Sequence, residues 1–381
     1  MNNESIKLNT LNETRIGILL PFLRGYGSER VVLNLTRGLA QKGVKVDLVL
    51  LGSAGIFSAD VHPGVRLIEL GLEDLRTRSS LQKILAISRY LKQERPDILI
   101  SVYDTLNLAP VARLLANTRT RIINSVHVQL SKDLNTKGIK GKIEPYLLRL
   151  TYAWADRVIA VSQGVAADIS HLAGIDLADI QVIYNPVVTP ELSIAAKEPV
   201  SHPWFAPGRP PVILGVGRLE EQKSFSTLIK AFALVRKLKL SRLAIVGEGS
   251  ERAALESLIA ELGLQDDVAL LGYSPNPYAY MSKAAIFVMS SAWEGFGNVL
   301  VEAMAVGTPV VSTDCQSGPA EILEHGQYGQ LVPVGNVELL ADAILTTLKQ
   351  PISSELLQQR SQAFATEGIV DRYLSLLSDL P

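Results

Sequence analysis

Residues 286–309, IFVMSSAWEGFGNVLVEAMAVGTP, are the part of the chain that indicates its fold most clearly. Its first four residues form a short apolar run, which is typical of a buried strand. The two glycines just after Glu294 predict a tight loop in which the backbone approaches another group closely. Residues 298–306 suit a helix that the following glycine and proline end. The stretch therefore predicts a strand, a loop and a helix in that order.

Two glutamates, Glu294 and Glu302, are the candidate functional residues of this stretch. Glu294 falls on the loop between strand and helix, and Glu302 about one turn inside the helix. In an open α/β sheet such a loop lies at the carboxyl ends of the strands, where ligands bind. The alternative is structural, because a carboxylate before a helix can cap it and one on a helix is often solvated.

The rest of the chain repeats the alternation of strand and helix. In the first half we predict a helix over 28–41 and strands over 15–20, 44–51, 98–102, 122–126, 157–161 and 181–184. In the second half we predict helices over 224–238 and 250–262 and strands over 212–216, 243–246, 268–271, 286–289, 309–312 and 330–332. This alternation predicts an α/β protein with two doubly wound, Rossmann-like domains facing a cleft.

A proline-rich segment separates the two halves. Seven prolines fall between Asn185 and Pro211, and this composition predicts an interdomain linker over 187–211. Residues 1–186 then form the amino-terminal domain and residues 212–353 the carboxyl-terminal domain. The final segment, 353–380, is predicted to be helical.

Composition excludes several classes of protein. The net charge of −1 gives no general attraction to nucleic acid. The single cysteine, Cys315, excludes a disulfide framework and suits the reducing cytoplasm. We expect it to be a small buried or loop residue rather than a nucleophile. No apolar run approaches the roughly 18 residues of a spanning helix, and no spacing of residues suggests a metal site.

The two glutamates in their E-G-F-G context resemble the signature of the retaining glycosyltransferases of family 4, also called group 1, which have the two-domain GT-B fold. The resemblance covers most of the chain and is strongest over 215–332. In that family the residue matching Glu294 binds hydroxyls of the donor sugar, and the one matching Glu302 binds the ribose. A carboxylate can accept both of two vicinal hydroxyls. The resemblance also implies that a helix over about 354–381 packs back on the first domain.

Further donor residues follow from the resemblance. Arg218 and Lys223, after the first strand of the second domain, match the positions that hold the donor diphosphate. Gly247 and Glu248 match a nucleotide contact. The remaining residues predicted to bind the donor lie on the loop and helix start after Glu294 and are Phe296, Gly297, Asn298 and Val299. The structural alternatives are that Arg218 and Lys223 are ordinary surface cations and that Gly247 and Glu248 belong to a plain turn between strand and helix.

We expect neither a metal nor a cofactor. Many sugar transferases of another fold hold a metal with Asp-x-Asp, and this sequence contains no such motif. The charge of a leaving diphosphate would then be balanced by Arg218, Lys223 and the amino end of the helix near Asn298.

The first domain offers weaker candidates. Gly25 and Gly27 lie in a loop that opens a helix, which suits an anion or the acceptor. The alternative is that Ser28 or Gly27 is only the helix cap. The family commonly has two adjacent glycines here, so the role of Gly25 is open. The resemblance places His127, after strand 122–126, near the donor sugar as a catalytic residue, whereas a lone histidine is more often structural. Asp104 ends another strand and is a candidate for acceptor binding.

The segment from Arg113 to Arg149 is locally basic. Its cations are Arg113, Arg119, Arg121, Lys132, Lys137, Lys140, Lys142 and Arg149. Two interpretations remain open: a solvated face, or a surface that holds the protein on an anionic membrane.

Together these features predict a retaining, metal-independent glycosyltransferase. It would move a sugar from a nucleotide diphosphate sugar, with UDP favoured, to a glycan or lipid-linked acceptor in bacterial polysaccharide or cell-envelope synthesis. We expect it in the cytoplasm or peripherally on the inner face of the cytoplasmic membrane. The alternatives are a nucleotide-sugar isomerase (epimerase) of the same fold and a non-catalytic binding module.

Overall fold

The computed structural model describes residues 13–23, 27–72, 75, 78–102, 107–135 and 139–379, with the backbone alone at residues 56, 133–135 and 139–144. The chain divides into two compact units. One comprises Met1–Pro186 with Thr366–Pro381, and the other comprises Val187–Ala365.

The first unit is built on a seven-stranded parallel sheet. Its strands are β1 (Arg15–Leu20), β2 (Lys45–Leu50), β3 (Val65–Glu69), β4 (Ile98–Ser101), β5 (Arg121–Val126), β6 (Arg157–Ala160) and β7 (Ile180–Val182). The helices that follow these strands are α1 (Gly27–Gln41), α2 (Ser80–Glu94), α3 (Ala109–Ala116), α4 (Leu130–Asn135), α5 (Ile139–Ala153) and α6 (Gln163–Ala173). The strand order is β3-β2-β1-β4-β5-β6-β7, so the direction of winding reverses between β1 and β4.

The second unit is built on a six-stranded parallel sheet. Its strands are β8 (Val212–Val216), β9 (Arg242–Val246), β10 (Val268–Gly272), β11 (Ile286–Met289), β12 (Val310–Thr313) and β13 (Gln330–Val332). Its helices are α7 (Pro190–Ala195), α8 (Phe225–Leu238), α9 (Arg252–Glu261), α10 (Pro277–Lys283), α11 (Asn298–Ala305), α12 (Pro319–Ile322), α13 (Val337–Lys349) and α14 (Ser354–Ser361). The order β10-β9-β8-β11-β12-β13 reverses between β8 and β11.

The predicted fold class is confirmed: each unit is a doubly wound parallel sheet with flanking helices. The central strands are apolar on both faces, because helices cover both sides of a parallel sheet. In β11 all four residues are buried, as the run at 286–289 predicts.

A last helix, α15 (Thr366–Ser378), belongs to the first unit. Its apolar side chains Ile369, Val370 and Tyr373 lie in the core beneath β1 and β4. Gly38 on α1 leaves room for this helix, since a Cβ there would lie 2.5 Å from a methyl group of Val370. The predicted single helix over 353–380 is therefore two helices, α14 and α15, on different units.

The structure also differs from the sequence prediction over 187–211. This segment contains α7, which begins at Pro190 after the cap Thr189, and it is part of the second unit. Asn276 donates to the carbonyl oxygen of Ala195, and Ser282 donates to that of Ala196. Proline fits the first turn of a helix, where its missing N–H has no partner to lose, so this proline-rich segment is folded rather than a free linker.

Candidate active site

The candidate site of the second unit lies at the reversal point of its sheet. Strands β8 and β11 are neighbours there, with Ile213 paired with Ile286. The loops after these two strands diverge to opposite faces of the sheet, and such a point opens a crevice for ligands. The predicted residues Arg218 and Lys223 lie on the loop after β8, and Glu294 lies on the loop after β11.

Glu294 and Lys223 form a buried ion pair. The Lys223 Nζ lies 2.5 Å from the Glu294 Oε1, and their side chains are only 16% and 8% exposed. The Ser291 hydroxyl donates to the same carboxylate oxygen at 2.7 Å. Removing one partner of such a pair leaves a buried charge without compensation, which costs about 3–5 kcal/mol. The sequence suggests each residue separately, and the structure brings them together.

Further hydrogen bonds tie the two loops. The Gln222 side chain donates to the carbonyl oxygen of Trp293 at 2.9 Å, and the Ala292 N–H donates to the carbonyl oxygen of Gln222 at 2.8 Å. The Ser290 hydroxyl donates to the carbonyl oxygen of Lys223 at 2.8 Å. Glu294 is thus fixed through its carboxylate and through its own loop.

We expect Ser291→Ala to lower sugar transfer by about 10- to 100-fold, since a hydrogen bond to a charged group contributes about 1.5–3 kcal/mol. Nucleotide affinity should stay within about twofold, because the Ser291 side chain bonds only the Glu294 carboxylate, which the resemblance assigns to the sugar and not to the nucleotide. Steady-state transfer and UDP titration measure the two effects. Ser312→Ala is the matched control, as this buried hydroxyl bonds only the carbonyl oxygen of Thr313. An equal loss in both variants would contradict a positioning role.

The amino end of α11 directly follows the loop that carries Glu294. The helix begins after Gly297, whose φ of 103° is left-handed and which supplies no side-chain cap. Asn298 and Val299 form its first turn, where backbone N–H groups favour an anion. Glu302 lies further along the helix and is buried, with 6% of its surface exposed. The predicted positions of both glutamates on loop and helix agree with the structure.

Phe296 lies on the loop that carries Glu294, and its expected contact with the donor stays a prediction. Its side chain is buried and packs edge-to-face on Phe364, with ring centroids 5.5 Å apart. The neighbouring backbone is crowded, because a Cβ on Gly318 would lie 1.7 Å from the carbonyl oxygen of Phe296. The loop at 317–318 therefore rests directly on the predicted sugar-binding loop.

The loop after β9 packs on the loop after β8. A Cβ on Gly247 would lie 1.8 Å from the carbonyl oxygen of Gly217, so only glycine fits. Glu248 is engaged with Arg252, which donates to both carboxylate oxygens at 3.2 and 3.1 Å. Its side chain thus pairs with the first turn of α9 in this structure. The nucleotide contact expected of Gly247 and Glu248 stays a prediction.

Cys315 is buried beside the site. Burial, reinforced by the negative charge of Glu294, raises the pKa of its thiol to about 12. The thiol is protonated at neutral pH, and a thiol is a far weaker nucleophile than a thiolate. This agrees with the expectation that Cys315 is not a nucleophile.

In the first unit the candidates are only partly described. Gly27 begins α1, next to the reversal point between β1 and β4. Gly25 and Asp104, the other residues predicted for the acceptor side, lie outside the described residues.

His127 follows β5, and a hydrogen bond holds one of its two ring nitrogens. One ring nitrogen, Nε2, lies 3.0 Å from the Ser125 hydroxyl. The other, Nδ1, is buried and has no hydrogen-bond partner among the described residues. Burial lowers the pKa of His127 to about 4, so the ring is neutral at pH 7. Tyr373 of α15 also hydrogen-bonds Ser125, and burial raises the pKa of its hydroxyl to about 12.

His127 should make stability depend on pH. The unfolded chain protonates the ring below its ordinary pKa of about 6.5, whereas the folded chain resists protonation until pH 4, so stability falls as the pH decreases through this window. At about pH 5 we expect a loss of roughly 2 kcal/mol from this residue. Denaturant unfolding of wild type and His127→Gln at about pH 7.5 and 5 isolates it. An equal loss in both proteins would show that the ring titrates normally.

Sequence reasoning missed Gln222, Ser291, Ser125 and Tyr373. Gln222 directly precedes Lys223 and Ser291 lies three residues before Glu294, and this closeness in sequence is their only signal. Tyr373 lies far along the chain from His127, and nothing in its surrounding sequence connects the two.

Among the described residues no group of three or more His, Cys, Asp and Glu side chains is arranged to hold a metal ion. No helix in the described part of the chain combines the length and the apolar character needed to cross a membrane.

Comparison with known proteins assigns the class. Residues 26–190 match the model of Glycosyltransferase Family 4, and residues 197–364 match that of Glycosyl transferases group 1. The chain belongs to the family 4 glycosyltransferases and has their GT-B fold. It is therefore a glycosyltransferase, as the two glutamates predict.

Two relatives and one solved structure are similar over nearly the whole chain. N-acetylgalactosamine-N,N'-diacetylbacillosaminyl-diphospho-undecaprenol 4-alpha-N-acetylgalactosaminyltransferase of Campylobacter jejuni is 29% identical, over 88% of this chain and 90% of its own. The lipopolysaccharide core biosynthesis glycosyltransferase LpsE of Rhizobium meliloti is 29% identical, over 93% and 96%. The crystal structure of Anabaena HepE in complex with UDP and glucose superimposes with a TM-score of 0.76 at 21% identity, over 97% and 100%.

Proposed function

We propose that this glycosyltransferase moves a sugar from a UDP-sugar to a glycan or lipid-linked acceptor, with retention of configuration and without a metal ion. The observation that carries the proposal is the buried pair of Glu294 and Lys223 at the reversal point of the second sheet. The pair sets a hydrogen-bond acceptor for sugar hydroxyls beside a cation for phosphate. The isomerase alternative gains no support from the relatives.

The donor diphosphate would be bound by protein charge. Lys223 has three N–H donors and can keep Glu294 while bonding a phosphate oxygen. Arg218 is exposed on the same loop, and the first turn of α11 adds backbone N–H groups and the positive end of the helix dipole. Glu302, further along the helix, suits the ribose hydroxyls. UDP is favoured because HepE binds UDP.

Retention would follow from attack on the leaving-group side. The acceptor oxygen forms a bond to the anomeric carbon as the bond from that carbon to the diphosphate oxygen breaks. The acceptor proton passes to the departing diphosphate. Glu294 would hold the sugar hydroxyls in place during this step, and the neutral His127 would offer a hydrogen bond rather than a charge.

The acceptor would belong to bacterial envelope or polysaccharide synthesis. The Campylobacter relative is named for an acceptor on diphospho-undecaprenol, and the Rhizobium relative for the lipopolysaccharide core. Such acceptors are anchored in a membrane, so we place the protein in the cytoplasm, peripherally on the inner face of the cytoplasmic membrane.

Thermal melting with UDP, GDP and ADP, each with magnesium or with EDTA, tests the donor class and the metal independence. A ligand at 100 times its Kd stabilises by about 2.7 kcal/mol, which should raise the Tm by several degrees. We expect UDP to raise it equally in both conditions. A rise only with magnesium would contradict charge compensation by Arg218 and Lys223, and a rise only with GDP or ADP would contradict the UDP assignment.

A further inference from the structure

Helix α5 of the first unit is apolar on two opposite faces. Leu148, Thr151 and Tyr152 point into the protein and are buried. On the other side Tyr146, Leu147, Leu150 and, just past the helix end, Trp154 are between 37% and 73% exposed. Their spacing of one, four and eight residues puts these four on one helix face. A helix that is apolar all round is normally buried. We therefore expect another surface to cover the exposed apolar face of α5.

The exposed face continues onto α3. The Arg113 guanidinium of α3 donates to the carbonyl oxygen of Trp154 at 2.8 Å and pairs with Asp156. These bonds hold the end of α3 against the end of α5. Leu114 and Leu115, the next two residues of α3, are also exposed. We call the six exposed side chains the α3–α5 face: Leu114, Leu115, Tyr146, Leu147, Leu150 and Trp154.

The sequence around this face is positively charged. Between residues 109 and 156 there are eight Lys and Arg against three Asp and Glu, in a chain whose net charge is −1. The described cations Arg119, Lys132 and Arg149 are exposed. Arg113 and Arg121 are the exceptions, since both are half-buried and Asp156 neutralises Arg113.

We propose that the α3–α5 face enters the outer layer of an anionic lipid bilayer. Leucines flanked by cations are typical of a helix that lies on a membrane surface. Tyr and Trp favour the membrane–water interface, because their rings are apolar and their polar group can bond water. Each nearby cation adds attraction to anionic headgroups. A second copy of this chain suits the surface less well, since two such faces would bring like charges together. The inference rests on the peripheral location proposed above and not on the identity of the donor.

Vesicle sedimentation tests this inference. We expect the protein to sediment with vesicles of phosphatidylcholine mixed with phosphatidylglycerol and much less with phosphatidylcholine alone. Leu147→Ser with Leu150→Ser should lower the partition coefficient by about tenfold or more. The matched control is Leu339→Ser with Leu356→Ser, two leucines of similar exposure (44% and 50%) in the second unit beside Glu338 and Glu355, and it should bind like wild type.

Three outcomes would overturn the inference. These are no binding to anionic vesicles, equal binding by the Leu147/Leu150 variant and wild type, and a concentration-dependent dimer in light scattering that the same variant abolishes. Trp154 gives a direct readout, because brominated lipids should quench wild type more than Trp154→Phe. The UDP-induced rise in Tm, measured on every variant, shows that the fold and donor site are intact. Failure of membrane binding is thereby distinguished from failure of the proposed transfer.

Discussion

Glu294→Gln should reduce sugar transfer by at least about 100-fold, equivalent to about 2.7 kcal/mol of transition-state stabilisation. The substitution preserves the shape of the side chain and its acceptor for the Ser291 hydroxyl, but it removes the charge that Lys223 neutralises. In the proposed function this charge orients the sugar. Affinity for UDP should change little, since Lys223, Arg218 and Glu302 remain. Transfer kinetics and calorimetric titration with UDP measure the two quantities on one protein sample.

The control for Glu294→Gln must also break an ion pair in the second unit. Asp267, on the loop before β10, pairs with Arg236 and Arg242, so Asp267→Asn breaks an ion pair in the same unit. We expect this variant to melt at a lower temperature and to transfer sugar at the wild-type rate under native conditions. If Glu294→Gln transferred sugar as fast as Asp267→Asn, the role assigned to Glu294 would be wrong.

Gly318→Ala should destabilise the protein by about 2–5 kcal/mol and abolish most of the transfer. The residue has a φ of 96°, which costs an L-residue about 1–2 kcal/mol. In addition the new methyl group would lie 1.7 Å from the carbonyl oxygen of Phe296, and backbone cannot move aside as a side chain does. Relief of this overlap must displace the loop that carries Glu294 and Gly297, at a further cost of about 1–3 kcal/mol.

Gly335→Ala separates the two contributions to this effect. Gly335 is also left-handed, with a φ of 77°, but no atom lies within 4 Å of a Cβ placed there. We expect a loss of only about 1–2 kcal/mol and unchanged transfer. Denaturant unfolding and transfer rates of Gly318→Ala and Gly335→Ala measure the two contributions. Equal losses of stability and transfer in both variants would show that the contact of Gly318 with Phe296 does not contribute.

Much of the fold follows from local patterns. The strand at 286–289 and the helix from Asn298 are as predicted, because a buried apolar run, two glycines and a helix end leave few alternatives. All six strands of the second unit occur where alternation predicts them, with ends that differ by one residue at most. Central parallel strands are easy to predict, since both of their faces are buried and their sequences are continuously apolar.

Elements at the margins are harder to predict. β3, which the local patterns do not indicate, has the sequence VRLIE and lies at the sheet edge, where it is only partly buried and carries charges. The break between α14 and α15 has no glycine or proline. It occurs where the Phe364 carbonyl oxygen accepts the N–H groups of Val187 and Val188, so a distant segment ends the helix.

The site shows the same division between local and distant signals. Motif and resemblance point to Glu294, Glu302, Lys223 and Arg218. Their predicted positions, three on loops after strands and Glu302 on the helix, agree with the structure. The ion pair of Lys223 and Glu294 joins residues 71 positions apart. Such a pairing depends on which strands are neighbours and on their register, which local sequence does not encode. The contacts of Gln222 and Ser291 stay hidden for the same reason.

A crystal structure with UDP, grown in the presence of EDTA, tests whether protein charge alone binds the donor diphosphate. We expect, from the proposed metal-free donor site, diphosphate oxygens within hydrogen-bond distance of the Lys223 Nζ and of the backbone N–H groups at the start of α11, with the ribose hydroxyls on Glu302 and no metal between them. UDP bound away from the reversal point of the second sheet, or contacting neither Lys223 nor α11, would contradict it.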